Sequence, residues 1–383
     1  MRFYTNIYIL VVFLAFFSCK KHSNINTESS KRIKLESSET LINLEDIIEI
    51  EEVIKLETNK ISLFGQIDQL IVSGDKLFIR EGRFRGLVFN SKGKHLYNIG
   101  KKGKGPNEYL EFRDISLDTV QQRLSVLDYK KILNFNSRTG EFINSFKINI
   151  PAKSGFNPDQ FFIAGNDTYY LWSLNPDVWN VNDGSYYFMY KYVNGKITNK
   201  YYPYKNYSFD GCRFFKNFDG SVTIRPPLGD YNIYTLSDDS IYANYYCDFG
   251  NSIITQDFFS KSKKLDFDAY YKLNCFRSLE SIHQTKDHLY LTCDGPNKSI
   301  YELILNKAGS QDVIINKRNV YNPYVCYADE NYFYAALQPE FLQKVISENR
   351  QQSIFHKTAI RYNLTINDNP LLFKFKIIKN GKK

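Results

Sequence analysis

The chain has 383 residues, of which 43% are hydrophobic and 16% aromatic, enough apolar material for a large core and too much for a disordered chain. Only 11 Pro and 20 Gly are present, which excludes collagen-like and low-complexity chains. The net charge of +9 is modest and dispersed, and no zinc-finger, helix-turn-helix or RNA-binding aromatic pattern accompanies it, so nucleic acid is not expected as a partner.

Residues 1–18 read as a signal peptide. Arg2 gives a short positive start, and Ile7 to Phe17 is an apolar run too short to span a bilayer as a helix. Small Ser18 then precedes Cys19, which resembles the bacterial lipobox, with Phe16 where Leu is commonest. That resemblance implies cleavage before Cys19 and acylation of its thiol, with the lipid bilayer as a partner. Several acyl chains on one residue anchor stably, at ~0.8 kcal/mol per buried methylene. Residues 19–45, rich in Ser, Asn, Lys and Glu, read as the lipidated N-terminus and a flexible tether. Lys20 and Lys21 follow the Cys and the first acid is Glu28. Surface export of such lipoproteins typically depends on early acids, so the expected location is the cell envelope, lipid-anchored and facing the periplasm.

From residue 46 to 383 the pattern is of paired hairpins. One kind reads apolar strand, polar turn, apolar strand, over residues 66–81, 112–130, 159–175, 212–228, 275–294 and 323–338. A second kind lies between these, over residues 87–100, 132–148, 188–204, 232–249 and 299–319. Lys-Gly, Thr-Gly, Asn-Gly and Ala-Gly fill four of its five turns, because Gly accepts positive φ at no steric cost. One hairpin of each kind makes a four-stranded antiparallel blade, and six first hairpins predict six blades. In the last blade residues 339–350 read as one short inserted helix, and residues 369–377 as a strand. That leaves the blade one strand short, and residues 48–57 are predicted to supply it from the N-terminal side, closing the ring. The expected fold is therefore all-β: a six-bladed β-propeller. The competing folds are a pair of β-sandwiches or a large barrel, neither of which needs two hairpin types in strict alternation.

Residues 89–109 read FNSKGKHLYNIGKKGKGPNEY. Ile99, Gly100, Gly103, Gly105, Pro106, Glu108 and Tyr109 match the signature of the six-bladed β-propeller lipoproteins of Bacteroidetes, an NHL-like family, with Asn107 in place of a Gly. Asp368, Asn369 and Pro370 before an apolar strand resemble that family's ending. The resemblance spans nearly the whole mature chain and implies fold and location more than activity. Gly100 to Gly105 is not a phosphate loop: no Gly-Lys-Ser/Thr opens a helix there, and the run is predicted to be a structural connector between blades.

Candidate ligand-binding residues are the cations Arg83, Arg85, Lys101, Lys102, Lys104 and Arg113, which together would make a basic mouth for an anionic ligand. Trp172 and Trp179 bracket a predicted loop, where an aromatic side chain faces solvent or ligand. The tyrosine-rich run 186–204 is expected to pack within sheets rather than stack sugars. The five His show no metal-ligand spacing, no nucleophile elbow is present, and no cofactor or metal is expected. After Cys19, five Cys remain; Cys275 and Cys293 sit at mirrored ends of one hairpin, where they either pair or stay as small apolar thiols. The expected function is a monomeric binding or scaffold module for a glycan or protein partner in the envelope. The alternative is a propeller hydrolase or lyase acting on polysaccharide. Side chains lining the channel mouth discriminate: converging His and carboxylates favour the enzyme, a mixed shell of Lys, Tyr and Asn favours binding.

Overall fold

The computed structural model describes residues 30–35, 44–150, 156–165, 167–173, 187–203, 214–226, 228–237, 240–254, 258, 267–308 and 313–378. The strands follow from period-two burial on both faces. In the second strand of the first blade, Leu77 and Ile79 join one apolar cluster while Phe78 joins the next. In the third blade, Tyr169 and Leu171 face one neighbour, Tyr170 and Trp172 the other. Successive side chains leave a strand on opposite sides, so a sheet buried on both faces carries apolar residues at nearly every position.

Six four-stranded antiparallel arrays result. The first blade is Gln69–Ser73, Lys76–Glu81, Arg85–Asn90 and His95–Ile99. The second is Asp114–Asp118, Arg123–Asp128, Lys131–Asn136 and Phe142–Lys147. The third is Gln160–Ile163, Thr168–Trp172, Tyr187–Val193 and Lys196–Pro203. The fourth is Phe214–Lys216, Val222–Ile224, Asn232–Ser237 and Ser240–Asp248. The fifth is Ser278–Gln284, His288–Asp294, Ile300–Asn306 and Val313–Lys317. The sixth is Tyr324–Ala328, Phe333–Leu337 and Leu371–Ile377, completed by Ile48–Lys55 from the N-terminal side. All eleven expected hairpins are present, and the ring closes as expected. The fold is a six-bladed β-propeller.

The core is distributed between blades. Six apolar clusters coincide with the six interfaces between neighbours, and each draws residues from both sides. Each fully buried Leu or Phe contributes roughly 1.5–3 kcal/mol, so the ring coheres through the interfaces rather than a single centre. The tyrosine-rich run serves this end: Phe188, Tyr190, Tyr192 and Tyr201 are all buried between blades.

Three features differ from the expectation. The last blade carries two helices, Pro339–Ser347 and Ile354–Arg361, where one was predicted. The second starts with a capping box in which His356 replaces the usual Glu or Gln, which hides the signal in the sequence. A further short helix, Phe267–Lys272, lies between blades four and five. Within the segment expected to be a flexible tether, Lys31–Lys34 forms a strand that pairs in parallel with Tyr245–Asp248, making blade four five-stranded. Its Ile33, together with Leu35, is buried in the cluster between blades four and five, and Arg32 Nε donates to Asp248 Oδ2 at 2.7 Å. One apolar residue in four is too sparse a pattern to reveal a strand.

Candidate functional site

The first strand of every blade is its innermost one, and together the six enclose a central channel. Its cavity has a volume of about 530 Å³ and is lined by residues of all six blades. Apolar wall comes from Ile71, Ile115, Phe161, Phe214, Phe215 and Val325, among others. Polar groups interrupt it at Gln69, Asp114, Gln160, Lys216, His283 and Tyr324.

Most of these polar side chains join one blade to the next. Gln69 Nε2 donates to the Ile115 carbonyl at 3.0 Å, and Arg80 Nε donates to Gln69 Oε1 at 3.1 Å. Asp114 Oδ2 accepts from the Phe161 amide at 2.9 Å. Asp68 Oδ2 accepts from the Gly82 amide at 2.6 Å. Tyr327 Oη donates to the Val72 carbonyl at 3.1 Å, helping to close the ring. The His283 ring stands edge-on to Phe215 at 5.0 Å. Gln160 Oε1 is buried and lacks a hydrogen-bond partner.

Lys216 differs from the rest. Its side chain is exposed where the channel opens, and partial desolvation by the surrounding walls pushes its ammonium below the ordinary lysine range, with Asp118 acting against the shift. Its Nζ donates to the Leu117 carbonyl at 3.1 Å. On the side of the hairpin turns the channel meets a polar cleft of about 960 Å³, reaching Asp219, Thr235, Asn244, Gln284 and Lys307. Lys216, Leu117, Thr119, Phe162 and Gly220 line both spaces, so Lys216 stands at their junction.

The cations expected to form a basic mouth are placed elsewhere, on blade one and the segment joining it to blade two, and none lines the channel. Arg113 is buried: its Nε donates to Glu111 Oε2 at 2.9 Å, its Nη1 to the Pro158 carbonyl at 3.0 Å, and its guanidinium lies over the Tyr129 ring. Arg83 pairs with Asp159 at 3.1 Å. Arg85 pairs with Glu81 at 2.9 Å and donates to the Ile61 and Leu63 carbonyls. Glu81 and Glu111, close by in sequence, and Asp159, far away in it, thus engage these arginines. Lys101 lies 3.8 Å from Glu108, and Lys102 and Lys104 are exposed. Trp172, expected to face solvent or ligand, is 1% exposed and stacks on Phe188 at 5.5 Å between blades three and four. It belongs to the strand rather than the loop after it. Trp179 and Cys19 lie outside the described residues.

The glycine-rich connector is held internally. The Gly105 amide donates to Glu108 Oε2 at 2.8 Å, the Gly103 amide donates to the Tyr109 carbonyl at 2.9 Å, and Tyr109 packs edge-on against Phe112. Gly100 has φ +61°, and a Cβ there would lie 2.7 Å from the Phe135 ring. Cys275 and Cys293 are free thiols. Cys293 pairs in register with Leu279, and the partner strand begins only at Ser278, so the two do not oppose each other. Burial pushes the Cys293 thiol far up, leaving it unreactive. Among the described residues no group of three or more His, Cys, Asp and Glu is arranged to hold a metal ion.

The channel-lining polar residues were hard to find in the sequence, although a signal exists. Gln69, Asp114 and Gln160 each open, and Lys216 closes, the first strand of a first-type hairpin, and His283 lies near the end of another.

Residues 30–376 match the profile of a family described as "Domain of unknown function (DUF4934)". No curated protein matches the chain. Among solved structures, a candidate exported protein from Bacteroides fragilis is similar, with 18% identity, 92% of this chain and 100% of that chain covered, and a TM-score of 0.75. A DUF4221 family member from Bacteroides vulgatus is similar at 14% identity, with 88% and 100% covered and a TM-score of 0.55. At these identities the likeness concerns the fold.

Proposed function

The chain belongs to the DUF4934 family, and we propose that it is an envelope-anchored binding module whose propeller channel takes a small ligand. The observation that carries this reading is the channel of about 530 Å³ contributed jointly by all six innermost strands. That volume lies within the usual range of small-molecule sites, and mostly apolar walls with a few placed polar groups are their usual chemistry. The lining mixes Gln69, Gln160, Asn217, Lys216 and Tyr324 with Arg80 and a single histidine, His283, that packs edge-on against Phe215. Its carboxylates Asp68 and Asp114 are committed to backbone amides, which suits recognition better than acid–base catalysis. The leader, Cys19 and the exported-protein description of the Bacteroides fragilis neighbour support an envelope location, with Cys19 acylated and the propeller facing the periplasm.

Two measurements test it. A thermal-shift screen of the mature protein against metabolites and oligosaccharides should give a stabilising compound, and Ile71→Trp, which fills the channel, should abolish the shift while leaving the fold intact. A stabilising compound indifferent to that substitution places recognition elsewhere. Cys19→Ala should move the protein from the membrane to the soluble fraction, and protease treatment of intact cells should spare the wild type; rapid loss would place it on the cell surface.

A further inference from the structure

We propose that the channel site is selective for amphipathic monoanions, a carboxylate joined to an aromatic or alkyl body, with Lys216 as the anchor of the carboxylate. The inference rests on the channel reading above and names the ligand class of that same site.

Three observations carry it. Lys216 reaches the channel from the innermost strand of blade four, where channel and cleft share a wall, so its ammonium faces any molecule passing between them. Lysine carries three donors, and the bond to the Leu117 carbonyl uses one. Nearby acids do not neutralise it by contact: Asp118 accepts from the Gln121 amide at 3.0 Å and from Arg123 Nη2 at 3.5 Å, while Asp219 accepts from Ser221. An ammonium that opens into the channel without a contacting carboxylate has donors free for an arriving anion, and the partial desolvation there favours pairing.

The surroundings set the rest of the ligand. The partly exposed Phe214 and Phe215 of blade four and Ile71 of blade one line the channel together with Lys216, while Phe161, Phe162 and Ile115 are buried in its wall. These walls offer contact area to an apolar body and few hydrogen bonds to a polyhydroxylated one. Arg80, the other cation lining the channel, is engaged by Gln69 Oε1 and by the Gly82 carbonyl at 2.7 Å. Arg80 is thus held within blade one, whereas Lys216 stands where the channel meets the cleft.

Isothermal titration of the mature protein in detergent, with the micelle-only heat subtracted, tests this with 1-naphthoate and its uncharged analogue 1-naphthalenemethanol. The wild type should bind the carboxylate about tenfold or more tightly than the alcohol, the difference expected of one charge-assisted hydrogen bond in a partly desolvated site. Lys216→Met should abolish that preference and leave the alcohol's affinity unchanged, and Lys216→Arg should keep it. Equal affinities in the wild type, which requires no variant to fold, overturn the anion selectivity while the channel reading stands. Preference retained in Lys216→Met overturns the role of Lys216. Failure of both compounds to bind overturns the selectivity and the channel reading together.

Discussion

The Tyr324 hydroxyl donates to the carbonyl of Ile67 at 2.7 Å and accepts from the amide of the same residue at 3.1 Å. One phenol on blade six thus satisfies both backbone groups of the segment leading into blade one, and Gln338 Nε2 adds a third bond at 3.1 Å. Burial raises the phenol far above its ordinary pKa, so it stays a neutral donor. Tyr324→Phe preserves the ring and strands the Ile67 amide and carbonyl. A buried donor left unmatched costs about 1–3 kcal/mol, so urea unfolding should show a loss in that range. An unchanged midpoint means that the seam between the chain's ends is not held by this contact.

Arg277 is fully buried, and its Nε donates to Asp294 Oδ2 at 2.9 Å while its Nη2 contacts the other oxygen and its Nη1 donates to the Leu273 carbonyl. Removing either partner alone leaves a charge without its counterion. Asp294→Asn should therefore destabilise by roughly 3–5 kcal/mol, and the double variant Arg277→Met/Asp294→Asn by clearly less. Additive losses in equilibrium unfolding would mean that the two residues do not act as a pair.

His356 is fully buried at the start of the helix Ile354–Arg361. Its Nδ1 accepts from the Ser353 amide at 3.1 Å, which leaves Nε2 as the protonated nitrogen, donating to the Tyr321 carbonyl at 3.0 Å. Burial lowers its pKa from the ordinary 6.5. The unfolded chain then binds a proton at a higher pH than the folded one. The contribution is fully present above about pH 6.5 and falls as the pH drops through that value toward the lower folded pKa. Thermal melts from pH 7.5 to 5 should show a decline that His356→Gln lacks, since Gln keeps the capping box and does not titrate. Parallel declines in both proteins would assign the effect to other groups.

Gly103 and Glu108 form a testable pair in the connector. A Cβ on Gly103 would lie 1.9 Å from Glu108 Oε2, the atom that accepts from the Gly105 amide. Gly103→Ala must push the carboxylate aside and break that bond. Gly103→Ala and Glu108→Ala should each cost about 1–2 kcal/mol, and Gly103→Ala should cost little more in the Glu108→Ala background. Full additivity in this double-mutant cycle would separate the two residues.

Architecture was legible because alternation and turn chemistry are local. Lys92-Gly93, Thr139-Gly140 and Asn194-Gly195 turns take positive φ at Gly, as their sequence demands. Ring closure was legible because the last hairpin set lacked one strand. The candidate site was not, because channel lining depends on which strand is innermost and which face of it is free. Arg113 and Lys216 are both cations beside apolar residues in sequence. Only the fold shows the first locked beneath Tyr129 and the second opening into the bore. Trp172 misleads for a similar reason: it is the last residue of its strand, and only the fold shows it packed between blades three and four.

The short parallel ladder at Lys31–Lys34 has a mechanical consequence. A pull on the chain upstream of residue 31 is met first by four residues zipped along Tyr245–Asp248 and by the Arg32–Asp248 clasp. The ring-closing strand Ile48–Lys55 lies further down the chain and bears no load until that clasp gives way. Blade four thus acts as a strain relief, like the grip where a cable enters a housing, and tension is spent there before it reaches the seam of the ring.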